Sequence, residues 1–513
     1  MKSIKYILIT TLSTLLIVVL TACDSGFIEI NENPNEPTEV PARYVLPHIQ
    51  ESSLSFLSHG APGRAYVHVQ YHAPILYAGS GIYEYTPANA NGHWSTFYPG
   101  ILEDLAQLKY NVQKADVPRP NEEAVIRIMM AWKYHLITDL WGDVPYSEAN
   151  TGAHPDPEMR VSTPKYDTQQ SIYFDLIDEL DAATAMIDES QSPFGSEDLF
   201  YGGDMSKWKK FGNSLKLRIY MRMSEVAPNE ASAGIQRVYN EGMIFESNED
   251  NLYLQYSNFP DNHPTNNALR QRDDLKVTEP VVDLLKDLND PRLRIFAAPN
   301  VDDSEYVGLP VGMEQGLFSN SSISPIGAFY LAPRSLGLVM TYSEVLFILA
   351  EAEARDWLDV LGESAGSLYE EAIRSNMQIF SQDGLDSVLN GFEGDDTYNT
   401  TGLSADEFPT GITEAEIDDY LNEPNVAWDQ NNWRELIGKQ KWLQLYRQGI
   451  QGWFEWRRLN YPVLQTGPAA LLDEVPRRWV YPLDEQSLNG ENRSEAVERM
   501  GGDNLLIRMW VDQ

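Results

Sequence analysis

The chain has 513 residues, of which 42% are hydrophobic and 22% charged, with a single cysteine. That balance excludes a disordered tail, a collagen-like repeat and a disulfide-stapled miniprotein. Acidic residues outnumber Lys and Arg by 76 to 38; the net charge of −38 repels phosphate backbones and excludes nucleic acid as a partner.

The chain opens with Lys2 and Lys5, an uncharged apolar run over residues 7–20, then Thr21 and Ala22 before Cys23. A positive start, a short apolar run and small residues at the cut predict a signal peptide over 1–22. The run falls short of the roughly 20 residues that a spanning helix needs. Leu20-Thr-Ala-Cys23 resembles a bacterial lipobox, so Cys23 is expected to be acylated and to hold the chain on a membrane. Residues 23–47 are rich in Asn, Pro and Glu, lack helical periodicity and read as a tether and entry loop.

Amphipathic helical patterns then dominate. Residues 122–140 place Ile126, Met129, Met130, Tyr134 and Ile137 on one stripe, and 168–187 do the same with Ile172, Leu176, Ile177 and Leu180. Further helices are predicted over 206–224, 231–241, 342–358, 367–380 and 434–458. Consecutive helices with Ala-rich faces (Ala350, Ala352, Ala354) imply stacked helical hairpins, without a regular repeat period. The expected fold is mostly α: one body over 48–513, with loop-rich segments at 77–93, 252–334 and 382–430. The last of these holds 13 acidic residues and no Lys or Arg. It reads as a solvated acidic loop in preference to a Ca²⁺ site.

Motifs that carry chemistry mostly fail on context. Gly362-Glu-Ser364-Ala-Gly366 matches a nucleophile elbow, but a helix precedes it where a strand is required. His68 and His72 stand four apart with no adjacent acid or third ligand. Asp139, Asp143 and Glu148 around Trp141-Gly142 read as capping carboxylates at a helix end. No Walker loop, dinucleotide fingerprint or EF-hand loop occurs, so neither cofactor nor metal is expected.

Ligand contact is best supported over residues 77–98. Aromatic faces stack on the C–H face of a sugar ring while amides and imidazole bond its hydroxyls. Tyr77, Tyr83, Tyr85, Asn89, His93 and Trp94 are therefore the candidate binding residues, with the first half of the segment a loop. Trp94, together with Phe97 and Ile101, can equally open a buried helix.

Several segments, in order, resemble SusD/RagB-type nutrient-binding lipoproteins of Bacteroidota. They are Asn33-Pro-Asn-Glu-Pro-Thr38 behind the lipobox, Thr138-Asp-Leu-Trp-Gly-Asp-Val-Pro-Tyr-Ser147 and Pro164-Lys-Tyr-Asp-Thr-Gln-Gln170. Tyr201-Gly-Gly-Asp204 and Lys207-Trp-Lys-Lys-Phe-Gly-Asn-Ser-Leu-Lys-Leu-Arg218 follow. Thr341-Tyr-Ser-Glu-Val-Leu-Phe347, Gln440-Lys-Trp442, Gly452-Trp-Phe-Glu-Trp-Arg-Arg458 and Pro476-Arg-Arg-Trp-Val-Tyr-Pro482 continue the series. Asp24, Glu29 and Glu32 also resemble the acidic export signal of such lipoproteins. The resemblance implies a tetratricopeptide-like helical-hairpin superhelix with an inserted loop-rich lobe. It also implies a non-enzymatic capture protein, anchored on the outer membrane and facing the exterior, that hands an oligosaccharide to a SusC-like TonB-dependent transporter. Arg457, Arg458 and Trp442, with Asp143 and Tyr146, match recurring family positions and read as scaffold. Two alternatives stay open: a peptide or protein binder on the same scaffold, and a lipid-anchored glycoside hydrolase using two of the many carboxylates.

Overall fold

Helix boundaries in the computed structural model fall where the chain supplies caps. The structure describes residues 40–58, 62–152, 154, 156–269, 274–360, 362–389, 392 and 408–513; Cys23 and the signal segment lie outside them. Thr168 accepts the Ser171 N–H at the head of Gln169–Met186, and Asp204 accepts the Ser206 and Lys207 N–H groups at the head of Met205–Arg222. Thr341 and Ser364 do the same for Tyr342–Ala354 and Ala365–Gln378. Ser364, centre of the apparent nucleophile elbow, is thus a helix cap whose hydroxyl is bonded to Ser367. His68 ends the helix Pro62–His68 while His72 lies on a strand, so the two do not share a helix face.

Residues Arg43–Gln513 form one unit, mostly helical. The helix Pro120–Trp141 packs between Glu103–Gln113 and Gln169–Met186, and the succession continues through Met205–Arg222 and Pro228–Glu241. Met205–Arg222 also meets Tyr342–Ala354, which pairs with Ala365–Gln378 and touches Trp433–Gln444. These are the stacked hairpins expected from the periodicity. Three two-stranded antiparallel ribbons trim the helices: β1 (His72–Pro74) with β5 (Leu275–Val277), β2 (Val144–Pro145) with β3 (Tyr166–Asp167), and β4 (Leu252–Gln255) with β6 (Leu336–Met340).

Three expectations are corrected. The first helix runs Ala42–Ser58 with Pro47 inside it, so the entry loop stops before residue 47; the proline misled because it normally ends a helix. Residues 434–458 are not one helix but two, Trp433–Gln444 and Gly449–Leu459. Arg447 between them takes a left-handed backbone (φ 70°), and a side chain at Gly449 would collide with the Tyr66 ring. The segment 252–334 holds short helices as well as loops and strands, among them Glu279–Asp287.

Buried charge holds the layers together. Asp139 accepts from Arg222 Nε at 3.0 Å and from the Tyr173 hydroxyl. Asp512, next to the last residue of the chain, bridges Arg222 Nη2 at 3.0 Å and Arg457 Nε at 3.2 Å. Arg457 also donates to the Asp139 carbonyl, in the last turn of its helix, at 2.9 Å. A second cluster joins Arg458 to Glu351 and Glu455, and Lys441 to Glu455. Arg218 grips Glu344 in a two-pronged bond of 2.6 and 2.7 Å. Arg457 and Arg458 are therefore scaffold, as their family positions imply, and so are Asp143, which accepts from the Gln169 N–H and Arg499, and Tyr146, which donates to Asp175.

Replacing Asp512 by Ala leaves two buried guanidinium groups facing a missing carboxylate. Urea unfolding should show a loss of about 3–5 kcal/mol, unusually large for a residue so near a chain end. Acid should weaken the same layer. Burial, opposed by Asp139, drives the His135 imidazole from 6.5 down to about 4, so folding favours its neutral form. Its contribution is full above pH 6.5 and is lost as the pH falls towards 4, on the order of 3 kcal/mol. His135→Gln should flatten the decline between pH 6.5 and 5 in unfolding free energies measured across that range.

Candidate functional site

The segment 72–98 begins as a strand and ends as a helix. After β1, Ile75 donates its N–H to the Asp274 carbonyl, extending the ribbon by one residue. Ala73 and Ile75 pack with Leu309 and Ile323, and Phe318 closes the cluster. Leu76 and Tyr77 stand on top of it, exposed, with Tyr77 73% accessible. Tyr77 has a left-handed backbone (φ 59°), and its N–H donates to the Gln315 side chain at 3.1 Å. Such a conformation is costly for a tyrosine and persists only where its neighbours impose it. Tight turns then bring the chain back: Ile82 bonds Ala78 and Glu84 bonds Gly79 through the backbone.

The partner loop, residues 312–317, is fixed from the other side. Gly312 (φ 59°) lies so close to Gly467 that a Cβ on either would strike the opposing backbone. Ala469 donates its N–H to the Gly312 carbonyl, and Leu471 donates to Ile82. Leu317 is exposed on this loop. Tyr77 and Leu76 are exposed on one stretch and Leu317 on the other, and the Gln315 side chain joins the two stretches through the Tyr77 N–H.

The structure does not bring the six expected binding residues together. Tyr83 is 3% exposed; Gln70 donates to its hydroxyl at 2.9 Å, and burial raises its phenol to about 12. Tyr85, 8% exposed, and His93 both stack on Trp479, with ring centroids 5.4 and 4.7 Å away. The Tyr85 hydroxyl and His93 Nδ1 lie 3.1 Å apart. Asn89 is exposed, but its oxygen accepts from the backbone N–H and the hydroxyl of Thr86, capping the helix Pro87–Thr96. The helix therefore starts at Pro87 and the loop is shorter than 77–93. Trp94 is 8% exposed, edge-on to Trp141 and 4.5 Å from Tyr98. Tyr83 and Tyr85 cannot serve as open stacking platforms because both ring faces are covered by protein. Of the rings among the six, Tyr77 is the exposed one and His93 is half-buried, while Trp94 lines a neighbouring cleft.

Gln315 and Leu317 were not legible as site residues. The available signal was weak: a glycine-flanked turn inside a segment read as a loop lobe. Among the described residues, no group of three or more His, Cys, Asp or Glu is arranged to hold a metal, and no helix is long and apolar enough to cross a membrane.

Residues 34–482 match the family model SusD-like, described as starch-binding associating with outer membrane. No curated protein matches the chain. Among solved structures it is similar to a chitin-binding protein at 27% identity and TM-score 0.76, over 92% of this chain and 99% of that one. It is also similar to a SusD homologue from Bacteroides fragilis, with 23% identity, TM-score 0.73 and coverages of 91% and 100%. A chitin-binding SusD homologue from Flavobacterium johnsoniae gives 23% identity, TM-score 0.72 and coverages of 92% and 98%.

Tyr85→Ala should remove a stacked core ring and lower unfolding free energy by about 3 kcal/mol. A thermal melt would detect that loss; an unchanged melting temperature would return Tyr85 to the list of surface binders.

Proposed function

The chain belongs to the SusD-like family, and from that premise we propose that it captures an oligosaccharide at the cell surface. It is held there through acylated Cys23 and passes the sugar to a SusC-like TonB-dependent transporter in the outer membrane. The observation that supports this most directly is Tyr77: an exposed ring on a backbone fixed by Gln315 and by the small core beneath it. A platform ordered before the ligand arrives loses little side-chain freedom on binding. The ring face would take the C–H side of one sugar residue, Leu76 and Leu317 would extend the apolar contact, and the Gln315 amide would bond hydroxyls. The 27% identical structural relative is a chitin-binding protein, which makes N-acetylglucosamine oligomers the first ligands to test.

Affinity should be modest, because water already satisfies free hydroxyls and only the surplus appears as binding. Tethering beside the transporter offsets this by raising the effective concentration. Capture without turnover requires that the sugar leave intact.

The test is calorimetric titration of the protein starting at Asp24 with N-acetylchitohexaose and maltohexaose, followed by mass spectrometry of the sugars. One of the two should bind and stay intact. Tyr77→Ala should weaken that binding about tenfold, 1.4 kcal/mol, with an unchanged melting temperature. Undiminished affinity in the variant would rule out the Tyr77 edge, and shortened sugars would rule out pure capture.

A further inference from the structure

A cleft of about 510 Å³ lies beside Trp94, outside the Tyr77 edge. Its walls come from four places in the chain: the end of the helix Pro87–Thr96 with Tyr98 and Pro99, the turn after β2, the stretch of Val161, Ser162 and Pro164, and the C-terminal segment from Pro482 to Asn489. The cleft is within the size range of ligand sites in general. Its apolar lining comes from Trp94, Tyr98, Pro99, Pro145, Pro482 and the exposed Leu488.

Several of the donors that line the cleft are already committed to protein acceptors. Tyr98 spends its hydroxyl on the Pro145 carbonyl at 2.7 Å, and Asn489 donates an amide N–H to the Pro164 carbonyl at 2.7 Å. Asn150 donates to the Tyr98 carbonyl at 2.7 Å and to Glu103 at 2.9 Å. Ser95 donates to the Gly92 carbonyl. Three carboxylates remain: Glu103 accepts from Asn150, Glu485 is met by the Tyr166 hydroxyl and Asn489, and Asp484 is exposed at the rim. A carboxylate offers about four lone-pair positions. Arg493 acts on Glu485 from outside the lining, and among the described residues no Lys or Arg lines the cleft itself.

An anionic ligand is repelled by this arrangement. A neutral polyol would donate hydroxyls to these carboxylates but would bring no opposite charge. A cation on an apolar stem satisfies both features at once, its head at the carboxylates and its stem on the aromatic and proline lining. We propose that this cleft is a second binding site, for a peptide segment that presents an Arg or Lys side chain next to an apolar residue. It operates independently of the sugar edge, since none of Leu76, Tyr77, Gln315 and Leu317 lines it.

The probe is the capped tripeptide Pro-Arg-Leu, compared by calorimetry with the same peptide carrying citrulline, which keeps the shape and loses the charge. The Arg peptide should bind at least about tenfold more tightly than the citrulline peptide, and less tightly as salt is raised. Asp484→Asn, on an exposed residue, should weaken the Arg peptide only, and adding Glu485→Gln should weaken it further. Tyr77→Ala should leave it unchanged. Equal binding of the two peptides, no heat from either, or indifference to the double substitution would overturn the proposal. Tighter binding of a glucosamine oligomer than of the peptide, lost in the same double variant, would overturn the peptide assignment.

Discussion

The architecture hangs on arginines that are buried and paired. Arg222 lies wholly inside the protein between Asp139 of one helix and Asp512 at the far end of the chain. A guanidinium in such a place is tolerable only if carboxylates and carbonyls meet its fork directly, because desolvating an unpaired charge costs several kcal/mol. That requirement is geometric. It ties the helices Pro120–Trp141, Met205–Arg222 and Gly449–Leu459 and the last residues of the chain to one arrangement. Arg478 repeats the device by donating to the Trp141 carbonyl, so the end of a long helix is satisfied by a residue more than 300 positions away. In the second cluster, burial alone would raise the Glu351 carboxyl, yet Arg458 brings it to about 2.

The loops lie outside this core. Residues 72–87, 312–317 and 463–489 join through single backbone bonds, Leu471 to Ile82 and Leu483 to Pro87 among them. They form one rim although they come from three distant stretches. The rim and the Trp94 cleft differ in chemistry. One is an exposed ring beside an amide, the other an apolar lining edged by carboxylates.

The helical segments were readable because their apolar spacing is periodic and their caps are local. Thr168, Asp204 and Ser364 all sit where a helix head needs an acceptor. The break at Arg447 was not readable, since the residues on both sides keep a helical pattern and the reason for the turn is the Tyr66 ring, 381 positions away. The candidate binders illustrate the same divide. Composition shows a cluster of rings and amides over 77–94 but not which ring faces are covered. Trp479 covers Tyr85, and Gln70 and its surroundings cover Tyr83.

By itself the sequence determined the helical class and the family, because local periodicity and ordered motifs depend on neighbours along the chain. The tertiary structure decided which aromatic is presented and which are packed away. It also decided that Asp512 serves as a central counter-ion and that Asp484 and Glu485 face Trp94 across one cleft. Exposure, charge pairing and cavity walls are set by residues hundreds of positions apart, and no pattern within a single stretch of chain encodes such a meeting.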